Sequence, residues 1–521
     1  MKKVLPLLLI FLASLACNLP SQGFSAPGNV PPTPDWAATL RAAVPTETLI
    51  PLAALPTGTV VNPIMAEATP TPHVPSPTPI PLTDNTPILY TTQAGDTLET
   101  IAFRFGVSMD EIASPDPIPP TGFINPNQLL IIPNRLGNTT STGKLIPDSE
   151  AVYTLSAVGF DMDRYVSEAG GYLSAYSEYL GSIGQSSGVE VIEKIALDNS
   201  INPRLLLALL DYQANWVTGQ PSSETAENYP FGYIAEHKEG LLHQAIWAVN
   251  QLSIGYYGWR EGRINEIHFK DGAVARLEPT LNAGTVALLY YFAQVYDSTE
   301  WLYAINPETG FPAHYERMFG NPWVRANSVE PLFPPNLEQP HLELPFMFNQ
   351  TWSYTGGPHG AWEKDGSWAA IDFSPARSES GCVESNAYVT ASTAGLVVRS
   401  ENGVVVLDLD GDGFEQTGWV LIYLHIATQD RVANGAWVET GDLLGHPSCE
   451  GGHSTGTHVH MARKYNGEWM AADGAIPLVL TGWRVHAGER PYQGTLTRDG
   501  ETVTASTVGA HFSKIVRDHY P

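Results

Sequence analysis

Three changes of texture along the 521-residue chain predict a multidomain fold: a small β-α-α-β domain, an all-α middle domain and a mainly antiparallel β C-terminal domain. A proline- and threonine-rich tract sets the first folded segment apart from the N-terminus. Apolar residues then recur three and four apart through the centre, which is the period of helices. Beyond residue 340, short β-branched runs alternate with glycine-rich turns, which is the pattern of antiparallel strands. A chain this long exceeds one hydrophobic core. Its 54 acidic against 27 basic residues give a formal charge of -27, which excludes nucleic acid as a partner because like charges repel.

The first 17 residues, "MKKVLPLLLIFLASLAC", join two lysines, an apolar run and small residues before Cys17, as a secretory signal does. The end of this run resembles a bacterial lipobox, with Ser14 where leucine is usual, and the resemblance implies lipidation of Cys17. A plain signal peptide is the alternative. No other apolar run approaches the ~20 residues of a spanning helix. The expected location is therefore extracytoplasmic, on the membrane through a lipid anchor or secreted. Cys382 and Cys449 remain as an even pair in an oxidising compartment and are expected to bridge. Residues 18–87 read as an extended, disordered Pro/Thr linker.

Residues 88–136 hold "ILYTTQAGDTLETIAFRFGVSMDEIA" and "NPNQLLIIPN": a strand, a turn at Gly95-Asp96, a helix capped at Asp96 or Thr97, a second short helix and a closing strand. This segment resembles a LysM domain, which implies binding to N-acetylglucosamine-containing glycan. In residues 150–335, Asn202-Pro203 starts a new helix within "VIEKIALDNSINPRLLLALLDYQANW". The run "NPRLLLALLDYQANW" resembles the active-site helix of lysozyme-like lytic transglycosylases. Gln213-Ala214 stands where that family has its catalytic Glu-Ser pair, and glutamine cannot protonate a glycosidic oxygen. Neither Asp211 nor Glu224 falls at that position, so the expectation is a lysozyme-like domain without glycosidase chemistry.

Residues 341–485 carry the chemistry, with 486–521 as a C-terminal extension. His458 and His460 in "GTHVHMA" share one face if the run is a strand. His425 ends the apolar run "WVLIYLHIA", while His359 and Asp372 lie in "GGPHGAWEKDGSWAAIDFS" with twelve residues between them. Four histidines and a carboxylate are the inventory of a hydrolytic zinc site: three ligands, an open position for water and groups that move protons. "GGPHG…AAIDFS", "YLHI" and "GGHSTGTHVHMA", in this order, resemble the lysostaphin-type or LytM-like zinc metallopeptidases. The long gap after His359 is that of their LasA-type and β-lytic branch.

The resemblance implies that His359, Asp372 and His460 hold one Zn²⁺ and that His425 and His458 are catalytic. It implies hydrolysis of stem or cross-bridge peptides of peptidoglycan, often beside glycine, with the twelve-residue loop bordering the substrate groove. A LytM-like module that binds or activates without catalysis, and muramidase activity of the middle domain, are the alternatives. "DLDGDGFEQTGW" begins like a calcium loop at Asp408, Asp410 and Asp412, but Trp419 occupies position twelve, so an acidic hairpin turn is expected, with Ca²⁺ as the alternative.

Overall fold

In this computed structural model the residues described are 86–181, 184–362, 364–376 and 381–520. The signal, Cys17 and nearly all of the linker lie outside them. Among the described residues, no helix is long and apolar enough to cross a membrane.

Strand β1 (Ile88–Thr91) pairs antiparallel with β2 (Leu129–Ile132), and helix α1 (Leu98–Phe105) lies between them in sequence. Thr97 caps α1 by accepting from the Thr100 N–H, and Gly106 closes it in the left-handed conformation at φ 67°. The expected second helix is reduced to a 3₁₀ turn over Met109–Glu111. Asp96 is fully buried because it accepts from the Tyr90 hydroxyl and the Gln93 N–H and pairs with Arg104 at 2.7 Å. It shapes the turn and does not face solvent.

The middle region is helical, built around α2 (Gly188–Asn199), α3 (Pro203–Ala214), α4 (Leu241–Arg260) and α5 (Ala283–Val295). Asn202 caps α3 and Pro203 occupies its first turn, where a missing N–H costs nothing.

The C-terminal region forms a nine-stranded antiparallel sheet among the described residues. Its strands are β3 (Thr351–His359), β4 (Ala370–Pro375), β5 (Gly395–Glu401), β6 (Val404–Asp408), β7 (Trp419–Leu424), β8 (Trp437–Val438), β9 (Val459–Tyr465), β10 (Glu468–Trp469) and, after a small second sheet, Lys514–Val516. The order is β8-β5-β6-β7-β9-β4-β3 and then Lys514–Val516 at the edge, with β10 hydrogen-bonded to β9. The second sheet holds β11 (Val479–Leu480), β12 (Trp483–Ala487), β13 (Gly494–Arg498) and β14 (Glu501–Thr504), which makes the edge strand β15. Residues 486–521, set apart from sequence as an extension, thus supply strands to both sheets. Their partners are distant in sequence, as in the pairing of Lys514 with Ser353, and a local pattern carries no sign of that.

Both faces of the large sheet are buried. Val405, Leu407, Leu421, Tyr423 and Met461 pack into a core completed by Val485 and Leu496. Val404, Val406, Val420, Ile422 and Ala462 point the other way, into one continuous core with α2 to α5. The helical region and the sheet are therefore a single packed body, where the sequence suggested separate modules. A buried ion pair crosses the contact, Arg399 with Asp198 at 2.6 Å, and beside it within the C-terminal region Glu415 meets Arg399 at 3.1 Å and Lys464 at 2.8 Å.

Candidate active site

The strand pairing assembles five dispersed residues at one end of the helix-facing side of the sheet. His460 on β9 lies directly opposite Asp372 on β4, and His458 precedes it by two residues on the same face. Leu424, the last residue of β7, pairs with His460, so His425 follows at the rim in the left-handed conformation at φ 67°. His359 ends β3, which bulges on both sides of Gly356 where that strand meets Asp372. The glycine is a steric requirement: a Cβ there would lie 2.3 Å from Asp372 Oδ2.

His359 Nε2 is 3.1 Å from His460 Nδ1, and Asp372 Oδ1 is 3.4 Å from the first and 3.3 Å from the second. His458 Nε2 is 3.7 Å from the same oxygen. The second nitrogen of each imidazole faces a backbone carbonyl, which can only accept. His359 Nδ1 donates to Gly357 O at 2.8 Å and His460 Nε2 donates to Ala361 O at 2.9 Å. His425 Nδ1 donates to Glu450 O at 2.8 Å and His458 Nδ1 to Gly456 O at 2.7 Å. These bonds fix the tautomers, so four neutral rings turn bare lone pairs inward. Asp372 Oδ1 is buried and accepts no hydrogen bond. Lone pairs converging on an orphaned carboxylate oxygen repel one another unless a cation stands among them. His359, Asp372 and His460 can bring their ligand atoms within 4.8 Å of one another, and this borderline N/N/O set suits zinc.

Burial pushes His359 down to about 4 and His425 down to about 3, with neighbouring imidazoles adding to the shift. Burial alone would raise Asp372, yet it is held well below its usual range, because at the low pH where it would titrate the surrounding imidazoles become protonated and attract the carboxylate. In metal-free protein the unfolded chain takes up protons at these histidines below about 6.5, while the folded chain does not until about 4 and 3. The unfolded state then binds more protons, so stability falls as pH drops through that window, by about 1.4 kcal/mol per pH unit per histidine. Denaturant titrations of chelator-treated protein between pH 7 and 4 check this slope, and replacing His425 with Gln should reduce it.

The cleft over this cluster holds about 760 Å³ and is floored by Ser353, Thr355 and Ser374 beyond the histidines. Cys382 and Cys449 form a disulfide that ties together the two loops around it. Among the described residues of the loop after His359, none lines the cleft. The loop docks on the helical region, where Ser367 Oγ donates to Glu261 at 2.8 Å and Arg263 donates to Gly366 O at 3.0 Å. Small residues at Gly366 and Ser367 allow that close packing; a Cβ on Gly366 would already lie 3.2 Å from Ser253. Tyr492 carries no sequence motif, yet its ring stacks on His359 at 4.1 Å.

Elsewhere, Asp408, Asp410 and Asp412 lie within a cation's reach of one another. Asp408 already accepts from the N–H groups of Asp410, Gly411 and Gly413, and Asp412 from Phe414 N and the Thr417 hydroxyl, which are the bonds of an acidic hairpin turn. In the helical region, Asp211 accepts from Val217 N, Thr218 N and the Thr218 hydroxyl, and Gln213 Oε1 accepts from the Tyr296 hydroxyl at 2.7 Å. Glu224 is exposed in the first turn of a short helix.

The LasA N-terminal domain family matches residues 144–334 and the LysM domain family matches residues 90–133. With the site above, these make the chain a LasA-type, LytM-like metallopeptidase relative that carries a LysM domain. Protease LasA of Pseudomonas aeruginosa (strain UCBPP-PA14) is 28% identical over 379 residues, covering 67% of this chain and 80% of its own length. The Beta-lytic metalloendopeptidase of Lysobacter enzymogenes is 24% identical over 158 residues, 30% of this chain and 85% of its own. Among solved structures, the M23 metalloprotease pseudoalterin from the deep sea aligns at 23% identity with a TM-score of 0.27, over 32% of this chain and 96% of its own. The lysostaphin catalytic domain of Staphylococcus simulans aligns at 23% identity with a TM-score of 0.18, over 24% of this chain and 90% of its own.

Proposed function

We propose that the chain is an extracytoplasmic, zinc-dependent endopeptidase that hydrolyses peptide bonds of peptidoglycan, with the LysM domain holding the glycan strand. The observation that carries this reading is the convergence of three tautomer-fixed imidazole lone pairs, those of His359, His460 and His458, on the unpartnered oxygen of Asp372, with His425 packed beside His458. His359, Asp372 and His460 would hold the ion. Zinc, when bound, supplies a positive charge that polarises the scissile carbonyl and eases ionisation of the attacking water.

The chain's own residues do the rest. His458 and His425 present acceptor nitrogens to the site, so in the resting state each can receive a proton and neither can donate one there. We assign His458 as the base because its side chain keeps 18% of its exposure and opens on the cleft beside Asp372. Once protonated, its Nε2 can pass the proton to the departing amine. His425, more deeply enclosed, packs against it with ring centroids 4.5 Å apart and fixes its orientation. Anchoring through a lipidated Cys17 belongs to the same reading.

Mass spectrometry of purified peptidoglycan after incubation tests it, with His458→Ala as control. New amine termini within the peptides are expected from the zinc-loaded protein and not from the variant. Intact peptides with retained glycan binding would instead make the LytM-like domain a binding module. New reducing or anhydro sugar ends would assign muramidase activity to the helical region, against which the Gln213–Tyr296 hydrogen bond stands.

A further inference from the structure

The catalytic cleft is longer than the metal cluster requires, and its far end is built differently. Beyond Asp372 the next residue on the same face of β4 is Ser374, which pairs with Ser353 on β3, which in turn pairs with Lys514 on β15. Ser353, Thr355, Ser374 and Lys514 all line the cleft. Ile515 and Trp352 point to the opposite face, into the core, which fixes the direction of Lys514 towards the cleft. The floor is therefore a strip of hydroxyls leading from the histidines to one ammonium group.

Two features set this strip apart from ordinary surface. Thr355 Oγ1 is buried in the cleft wall with no hydrogen-bond partner, although nearly all such atoms in folded proteins have one. Lys514 is exposed and, among the described residues, its ammonium group takes part in no ion pair or hydrogen bond. In a chain with formal charge -27, carboxylates are plentiful, so a lysine left without one inside a cleft stands out. Asp372 is the one carboxylate among the described lining residues, and it is already surrounded by imidazoles.

We propose that Lys514 is a specificity-determining residue: it binds a free carboxylate of the peptide substrate, while the Ser353, Thr355 and Ser374 strip carries the intervening main chain. The proposal rests on the peptidase reading of the cleft. Two strand spacings and two residues along β4 put the Lys514 backbone about 12 Å from that of Asp372. An extended peptide advances about 3.3 Å per residue, and a lysine side chain can reach either way, so the carboxylate lies roughly two to four residues from the scissile bond. Either a chain terminus or an acidic side chain presents this chemistry. The hydroxyl floor suits a peptide main chain, whose carbonyl and N–H groups can exchange hydrogen bonds with it.

Three synthetic probes test the assignment on the zinc-loaded full chain: N-acetyl-hexaglycine amide, the same peptide as its free acid, and the amide with one internal glycine replaced by glutamate. Wild-type hydrolysis is followed by kcat/KM, and binding is measured by calorimetry on His458→Ala protein. At least one carboxylate peptide should be preferred over the amide by roughly two- to fivefold, the range of a solvent-accessible ion pair. That preference should shrink with added salt, vanish in Lys514→Ala, persist in Lys514→Arg and reverse in Lys514→Glu. Which peptide shows it, acid or glutamate, distinguishes a terminal from a side-chain carboxylate. A preference absent in wild type, or unchanged in Lys514→Glu, overturns the proposal. Lys514-dependent binding without cleavage of any probe would keep the proposal while removing the peptidase reading for these peptides.

Discussion

Asp372→Asn should strip the protein of zinc and lower peptide hydrolysis by on the order of 10³-fold, without lowering the thermal stability of the chelated form. The first half follows from charge. Asp372 is the single anionic group among four neutral imidazoles, and an ion held by it polarises the substrate by several kcal/mol, which is where the rate factor comes from. The second half follows from hydrogen bonding. Asp372 Oδ1 faces His359 Nε2 at 3.4 Å and His460 Nδ1 at 3.3 Å, and both of those atoms are bare acceptors in the tautomers fixed by Gly357 O and Ala361 O. An asparagine amide can donate where the carboxylate could only repel. Metal-free wild type, in contrast, keeps an unsatisfied buried acceptor, which costs about 1–3 kcal/mol. Zinc content by atomic emission, kcat/KM and a melting curve in chelator measure the three effects. Zinc and activity retained in Asp372→Asn would sink the assignment of this residue as a ligand.

The site was legible in sequence to the extent that it is local. His458 and His460 lie two apart on a strand, and the tandem glycines before His359 mark the place where Asp372 must approach the backbone. What sequence could not show is non-local. Lys514 and Tyr492 sit in a segment without a motif, and they reach the cleft only through pairing with strands far upstream. The loop after His359 looked like a border of the substrate groove because nothing in its residues names the helix that it docks on. The runs "VVVLD" and "WVLIYL" are apolar at every position but the last or nearly so, which is the mark of a strand buried on both faces. That pattern implies a second layer without saying which segment supplies it. Charge is equally silent in sequence about burial: Arg399, Glu415 and Lys464 are buried together, with Arg399 also meeting Asp198 of the helical region. The LysM-like turn at Gly95 carried its fold correctly but gave no sign that it packs against Arg260 and Phe333.

Arg260 is where the single-body architecture can be tested. Its buried guanidinium meets Glu468 of β10 through Nε at 2.8 Å and Asp148 of the helical region through Nη2 at 2.8 Å, and it donates from Nη1 to the carbonyl of Ala94 in the LysM turn. The Tyr256 hydroxyl also donates to Glu468, at 2.8 Å. Arg260→Ala would leave two carboxylates buried without their cation, a change that costs about 3–5 kcal/mol. Because helices and sheet share one core, the variant should still unfold in one cooperative transition, several degrees lower, with helical circular dichroism and C-terminal tryptophan fluorescence lost together. Burial already raises the Glu468 carboxyl against the pull of Arg260. In the variant that pull is gone, so Glu468 is protonated more readily in the folded than in the unfolded chain. Stability from such a raised group is present at low pH and lost as pH rises, so the deficit against wild type should be smallest near pH 4 and widen towards pH 8. Removing all three charges, in Arg260→Met with Glu468→Gln and Asp148→Asn, should recover most of the loss, since a buried ionic group replaced as a unit is close to neutral. Two separate transitions in Arg260→Ala, with the sheet melting at its wild-type temperature, would show instead that the helical region and the sheet are independent modules.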